Sequence, residues 1–258
     1  MDLPLRSDRL TRADVRSDLK SEPRPEREAT VMRAPMHLKR DSPLFLHLDP
    51  PSFAAEQYRT LAVHIEERLN PIGTWGYALA VTSPEESAGK TLTSLNLALT
   101  LTRGEERRVL LIEADLWRPQ LHTYLEGEPE EVPGLRQVLE REVSLHDVTV
   151  PVAGTSLHLL LSGSHEVAGD LISGRRMSEV LTEARSAYEM VVIDSPPMAF
   201  LASARSIAAR ADGVVVVVRA GQTPRRAVEK TLSTLGPEKT IGLVLNGVRS
   251  KRGYRQYY

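Results

Sequence analysis

The chain has 258 residues, 33 basic and 34 acidic side chains, a net charge of −1, seven histidines and no cysteine. The charge balance excludes a global basic field for nucleic acid, and the lack of thiols excludes disulfides and thiolate metal sites and fits a reducing compartment. No run approaches the roughly 20 apolar residues of a membrane span, the N-terminus has no apolar signal core and the histidines show no metal-ligand spacing, so a soluble cytoplasmic protein is expected.

Residues 1–50 are rich in charges of both signs and in proline, and read as a disordered or loosely attached arm. A domain is expected over 51–248. Its first element is a helix from Pro51 to Leu69, with Phe53, Tyr58, Leu61, Ile65 and Leu69 three to four apart and Ser52 as N-cap. Strand-like runs follow at Tyr77–Val81, Val109–Ile112, Leu157–Leu161, Met190–Ile193, Val214–Val218 and Ile241–Leu245. Several are continuously apolar, as in strands buried on both faces of a parallel sheet. Helical stretches at 90–103, 134–141, 174–187, 201–210 and 224–235 alternate with them. That alternation predicts a doubly wound α/β domain with a mainly parallel sheet and helices on both faces. The last residues, 249–258, carry no helical or strand period and read as a flexible tail.

The stretch TSPEESAGKT (82–91) runs from the first strand into a helix. Strand, loop, Gly-Lys-Thr, helix is the layout of a phosphate-binding loop, although Pro84 stands where the strict pattern has Gly. Backbone N–H groups at a helix N-terminus point at an anion, and the helix dipole favours negative charge there. Lys90 is expected to reach the β/γ-phosphates of a nucleotide and the Thr91 hydroxyl to sit on Mg²⁺, while Gly89 lets the backbone approach without a Cβ. The run VLLIEAD (109–115) ends a strand on Glu113 and Asp115, and MVVIDSPP (190–197) ends another on Asp194. Carboxylates just past buried strands face the crevice at the carboxyl edge of an open sheet, where ligands bind. Taken singly, each could equally cap a helix. Three strand ends delivering Lys-Thr, Glu-x-Asp and Asp to one edge point together to a nucleotide site.

These segments resemble the bacterial tyrosine kinases that carry P-loop motifs, the kinases of capsule and exopolysaccharide export. The resemblance covers residues 52–258. TSPEESAGKTLTSLNLA (82–98) looks like the family's phosphate motif, VLLIEADLWRPQLH (109–122) its second acidic motif, and DLISGRRMSEVL (170–181) with VVIDSPP (191–197) the approach to its third. EQYRTL (56–61) matches most of an element used for subunit contact, through Glu56 and Arg59. Tyr254, Tyr257 and Tyr258 look like the C-terminal tyrosine cluster. The chain departs from the pattern at Glu86-Ser87 in place of Pro-Gly, at Glu113 and Ser203 in place of Asp, and at Ala62 in place of Arg.

The resemblance implies a P-loop NTPase-like fold and an ATP- and Mg²⁺-dependent tyrosine autokinase that phosphorylates its own tail between subunits and regulates polysaccharide polymerisation and export. It implies that Ser87, Ala88, Gly89, Lys90, Thr91 and Leu92 hold the nucleotide phosphates, and that Thr91, Asp194 and Asp115 organise Mg²⁺. Asp115 would orient the attacking phenol or take its proton, with Glu113 in support. Arg118 either holds phosphate or lies on the surface, and Asn246 either reads the adenine edge or is a turn residue before Gly247. The implied partners are a membrane-embedded polysaccharide co-polymerase at the inner face of the cell membrane, further copies of the chain and a cognate tyrosine phosphatase. Two other readings stand beside this one: a catalytically weak nucleotide-binding regulatory subunit, and a partition- or septum-placing ATPase. The latter carries a second Lys where this chain has Glu85.

Overall fold

In the computed structural model, residues 34–39, 52–69, 76–103, 107–127, 132–163, 169–199 and 202–248 are described. All lie in the compact unit Met32–Tyr258.

The apolar runs form a seven-stranded sheet. In chain order the strands are β1 (Tyr77–Thr82), β2 (Val109–Glu113), β3 (Val150–Pro151), β4 (Leu157–Leu160), β5 (Met190–Asp194), β6 (Gly213–Arg219) and β7 (Thr240–Asn246), in the spatial order β3-β4-β2-β5-β1-β6-β7. All pairs are parallel except β3–β4. Successive strand residues point to opposite faces, and here each face has its own core. Leu79, Val81, Leu111, Val192 and Val215 pack with helices α1 (Phe53–Leu69) and α2 (Lys90–Leu101). Ala80, Leu110, Ile112, Val191 and Val216 pack on the other face with α3 (Leu135–Leu139), α4 (Leu145–Val148), α5 (Gly169–Ser173), α6 (Arg175–Ala187), α7 (Ala202–Arg210) and α8 (Arg225–Leu235). This is the layering expected from the sequence. No described helix is long and apolar enough to cross a membrane.

The strand order creates the site. β1 and β2 are consecutive in sequence, yet β5 lies between them and pairs with both, matching Val81 with Asp194 and Glu113 with Asp194. The carboxyl ends of β1, β5 and β2 therefore sit side by side. The chain leaves β1 toward β2 on one side and leaves the adjacent β5 toward β6 on the other, so the carboxyl ends of β1 and β5 flank the switch point where open sheets bind ligands.

Four elements had no sequence signal strong enough to place them. β3 is two residues long and includes a proline, and α4, α5 and the 3₁₀ turn Leu121–Tyr124 are one turn or little more. Residues 34–39, inside the stretch read as an arm, pair with the domain. The Met36 amide donates to the Pro151 carbonyl and the Ala153 amide to the Met36 carbonyl, both at 2.9 Å. The Met36 and Leu38 side chains pack on the α1–α2 core. The tail at 249–258, with its tyrosines, lies outside the described residues, as does most of 1–50.

Candidate active site

The phosphate loop is held rigidly from behind. The Thr82 hydroxyl donates to the Pro196 carbonyl at 2.9 Å, and the Ser195 amide and hydroxyl both donate to the Val81 carbonyl at 3.0 Å. These bonds stitch the end of β1 to the end of β5. The loop then turns through two left-handed residues, Ser87 (φ 57°) and Gly89 (φ 92°). Such turns bring consecutive N–H groups to one side, an anion-binding concavity. Gly89 is needed twice over: its φ is one that side chains resist, and a Cβ there would stand 2.0 Å from Asn246 Nδ2.

Asn246, at the end of β7, donates from Nδ2 to the Ala88 carbonyl at 2.8 Å. Its amide braces the back of the loop and is not among the groups lining the crevice. It also precedes Gly247, whose φ of 72° turns the chain out of β7.

In front of the loop lies a crevice of about 460 Å³, lined by Ser87, Gly89, Lys90, Thr91, Leu92 and Asp115, and further out by Glu86, Trp117, Arg118, Gln120, Tyr124 and Pro197. Lys90 is almost fully buried, with Nζ 4.0 Å from Asp115 Oδ2. Asp115 also accepts from the Arg118 amide at 3.2 Å and from the Trp117 amide. Burial pushes the Asp115 carboxyl above its usual range, against the pull of Lys90 and these amides.

Asp194 lies behind the crevice and is 1% exposed. Ser94 Oγ donates to its Oδ1 at 3.2 Å, while Oδ2 is buried with no hydrogen-bond partner among the described residues. Burial raises its carboxyl from 3.8 to about 7, with the Thr91 hydroxyl and the Lys90 ammonium pulling the other way and Glu113 and Asp115 adding to the rise.

Glu113, expected to support Asp115 or a metal's water shell, is held by backbone amides. Its Oε1 accepts from the Gln120 and Leu121 amides, each at 2.7 Å, and its Oε2 from the Ser162 amide at 3.0 Å. The carboxylate is therefore spent on backbone donors, and it clasps the segment that carries Trp117, Arg118 and Gln120 against the turn after β4. The extra methylene relative to Asp supplies the reach.

A carboxylate in this loop would repel a polyphosphate, and the fold meets this locally. Glu86 is exposed and ion-paired with Arg118 across the mouth of the crevice. Its charge is directed at a guanidinium rather than at the loop amides. Trp117 and Tyr124 were missed as site residues. The signal for Trp117 was its place two residues past a strand-end Asp, on the same turn. Tyr124 lies on the 3₁₀ turn that no pattern announced, and burial and the nearby Asp194 raise its phenol.

Glu56 and Arg59 lie one turn apart on α1 and pair with each other at 2.7 Å on a partly exposed face. Ala62, at the third position of that element, points inward and is 6% exposed.

This geometry has known counterparts. Residues 79–239 match the family described as AAA domain. The chain is 32% identical over 216 residues to "Tyrosine-protein kinase YwqD" of Bacillus subtilis (strain 168), covering 81% of this chain and 88% of that protein. It is 30% identical to "Succinoglycan biosynthesis transport protein ExoP" of Rhizobium meliloti (strain 1021) over 76% of this chain, but spans only 25% of that larger protein. The solved "BceF Tyrosine Kinase Domain" superposes with a TM-score of 0.70 at 25% identity, covering 80% of this chain and 82% of that one. With a phosphate loop whose lysine faces a strand-end aspartate, on a sheet that superposes on such a domain, the chain belongs to the P-loop protein-tyrosine kinases of bacteria.

Proposed function

We propose that this kinase transfers the γ-phosphoryl group of ATP to tyrosines of its own tail, Tyr254, Tyr257 and Tyr258, on a neighbouring copy, and that it does so in the service of polysaccharide export. The observation that carries the chemistry is the pairing of Lys90 with Asp115 in the crevice in front of the loop of left-handed residues, with Asp194 buried just behind them. Phosphoryl transfer needs positioning and charge neutralisation more than covalent catalysis. The loop amides of 87–91 bind the phosphates, and Lys90 bridges the transferred group and Asp115. The phenol oxygen forms a bond to the γ-phosphorus as the bond to the β,γ-bridging oxygen breaks and ADP leaves. The phenolic proton passes to Asp115, whose burial strengthens it as a base.

A divalent cation fits the donor set. The unpartnered, buried Asp194 Oδ2 and the Thr91 hydroxyl are hard oxygen donors beside the phosphate loop. No cluster of three metal-binding side chains exists among the described residues, as suits Mg²⁺, which binds through one or two carboxylates plus substrate phosphates. When bound, Mg²⁺ neutralises the charge on the phosphate oxygens.

The relative named for succinoglycan biosynthesis transport supports a role in polysaccharide export, and in the same reading the kinase sits beside a membrane-embedded polysaccharide co-polymerase at the inner face of the membrane, with a cognate phosphatase resetting the tail. Subunit contact through Glu56 and Arg59 would bring one tail to the next crevice. The test is phosphotyrosine on the purified chain with Mg-ATP, with and without a partner's cytoplasmic segment. Lys90→Met and the triple Tyr→Phe tail should both abolish the signal. Labelling that persists in the triple variant refutes the tail assignment. ATP binding without any phosphotyrosine moves the reading to a nucleotide-sensing regulatory subunit.

A further inference from the structure

The rim of the crevice carries two groups that phosphate chemistry leaves unused. Trp117 is 49% exposed and lines the same crevice as Lys90 and Thr91. Its backbone is pinned: its own amide and that of Arg118 both donate to the Asp115 carboxylate, so the indole springs from a turn anchored on that carboxylate. A phenol delivering its proton to Asp115 must bring its ring to this rim. Glu86 stands across the mouth, ion-paired with Arg118. Both partners of that pair are about half exposed or more, so the pair is weak and readily exchanged.

We propose that Trp117 and Glu86 form the acceptor subsite, which selects a tyrosine flanked by cationic side chains. The proposal rests on the tyrosine-kinase reading and names the substrate class of that site. The tyrosine ring packs offset or edge-on against the indole. A flanking guanidinium or ammonium takes Glu86 from Arg118. The released Arg118 then faces the phosphates, so recognition of the acceptor's charge and neutralisation of the donor's charge become one event. The chain's own tail has this composition: Tyr254 lies between Arg252 and Arg255, and Lys251 precedes them. It also explains why a phosphate loop carries a carboxylate at its lip.

The test uses the full chain with two labelled peptides, KRGYRQ and AAGYAQ, in Mg-ADP for binding by anisotropy and in Mg-ATP for initial rates. Wild type should bind the basic peptide more tightly by about three- to fivefold, the scale of one exposed charge contact. Trp117→Ala should raise Kd and KM for the basic peptide by roughly tenfold while kcat and the KM for ATP stay within about twofold, and Trp117→Phe should restore most of the loss. Glu86→Gln should erase the preference between the peptides. Equal affinity of wild type for both peptides overturns the proposal, as does an unchanged peptide affinity in Trp117→Ala. A KM for ATP rising in parallel with that for peptide also overturns it, because Trp117 would then be a nucleotide platform. Peptide binding that follows the expected pattern without any turnover upholds the subsite and refutes the kinase reading instead.

Discussion

Replacing Glu113 with Gln separates a strut from a chemical group. The wild-type carboxylate is 2% exposed and accepts three backbone N–H bonds, two on Oε1 and one on Oε2. Gln keeps the shape but offers only one acceptor oxygen. If that oxygen retains the Gln120 and Leu121 amides, its NH₂ group faces the Ser162 amide, donor against donor. One buried amide left unpaired costs about 1–3 kcal/mol, and turning two charge-assisted bonds into neutral ones costs roughly 1 kcal/mol each. Removing a negative charge near Asp194 and Asp115 returns on the order of 1 kcal/mol. The net expectation is a loss of about 2–4 kcal/mol, a large share of a domain's typical stability of roughly 5–15 kcal/mol. Urea denaturation followed by circular dichroism measures it, and turnover is measured on the same preparation below the unfolding range. A strut predicts a marked shift in the urea midpoint with turnover reduced by less than about tenfold. A group acting on protons or on the metal's waters predicts the opposite, because such a role contributes about 10²–10⁴-fold. Stability within about 0.5 kcal/mol of wild type, together with a hundredfold loss of turnover, would refute the reasoning.

Three further outcomes follow from the same geometry. In metal-free protein the Asp194 carboxyl stands at about 7 rather than 3.8, so the folded state holds its proton more tightly than the unfolded state. The stability this brings is present in full below the unfolded value and is lost as pH rises through 7. Asp194→Asn should therefore gain on wild type from about pH 4 to 7 and level off at roughly 4 kcal/mol; denaturation across that range that shows a pH-independent gap would contradict it. Gly89→Ala should abolish nucleotide binding by calorimetry, and adding Asn246→Ala should recover only part of it, since the clash at 2.0 Å is relieved but the positive φ is not. Ile65→Ala, a fully buried contact of α1, should lower stability by about 2–4 kcal/mol in the same urea assay; a smaller effect would mean that α1 is not an integral layer.

The strands were legible because each is a continuous apolar run, and burial on both faces leaves no polar alternation to blur it. The phosphate loop was legible because Gly89, Lys90 and Thr91 are adjacent in sequence and their spacing is set by local geometry. The roles of Glu113 and Asn246 were not legible. Each is decided by where a distant backbone group falls: Ser162 across β4 for one, Ala88 across the width of three strands for the other. Trp117 and Glu86 are thirty-one positions apart, and only the folded mouth brings their neighbourhoods together. The docking of Met36 and Leu38 was hidden by their charged and proline-rich surroundings, since two isolated apolar residues make no period.

The insertion of β5 between β1 and β2 has a consequence for the nascent chain. β1 has only two partners, β5 and β6, and both are encoded more than a hundred residues downstream. At a synthesis rate of roughly 5–20 residues per second, the ribosome needs several seconds to deliver them. Over that interval the largely apolar β1 has both edges open while β2 can already pair with β4. The strand that leads into the phosphate loop is thus the one that waits longest for its neighbours, and it is the segment of this chain most in need of a holding chaperone during synthesis.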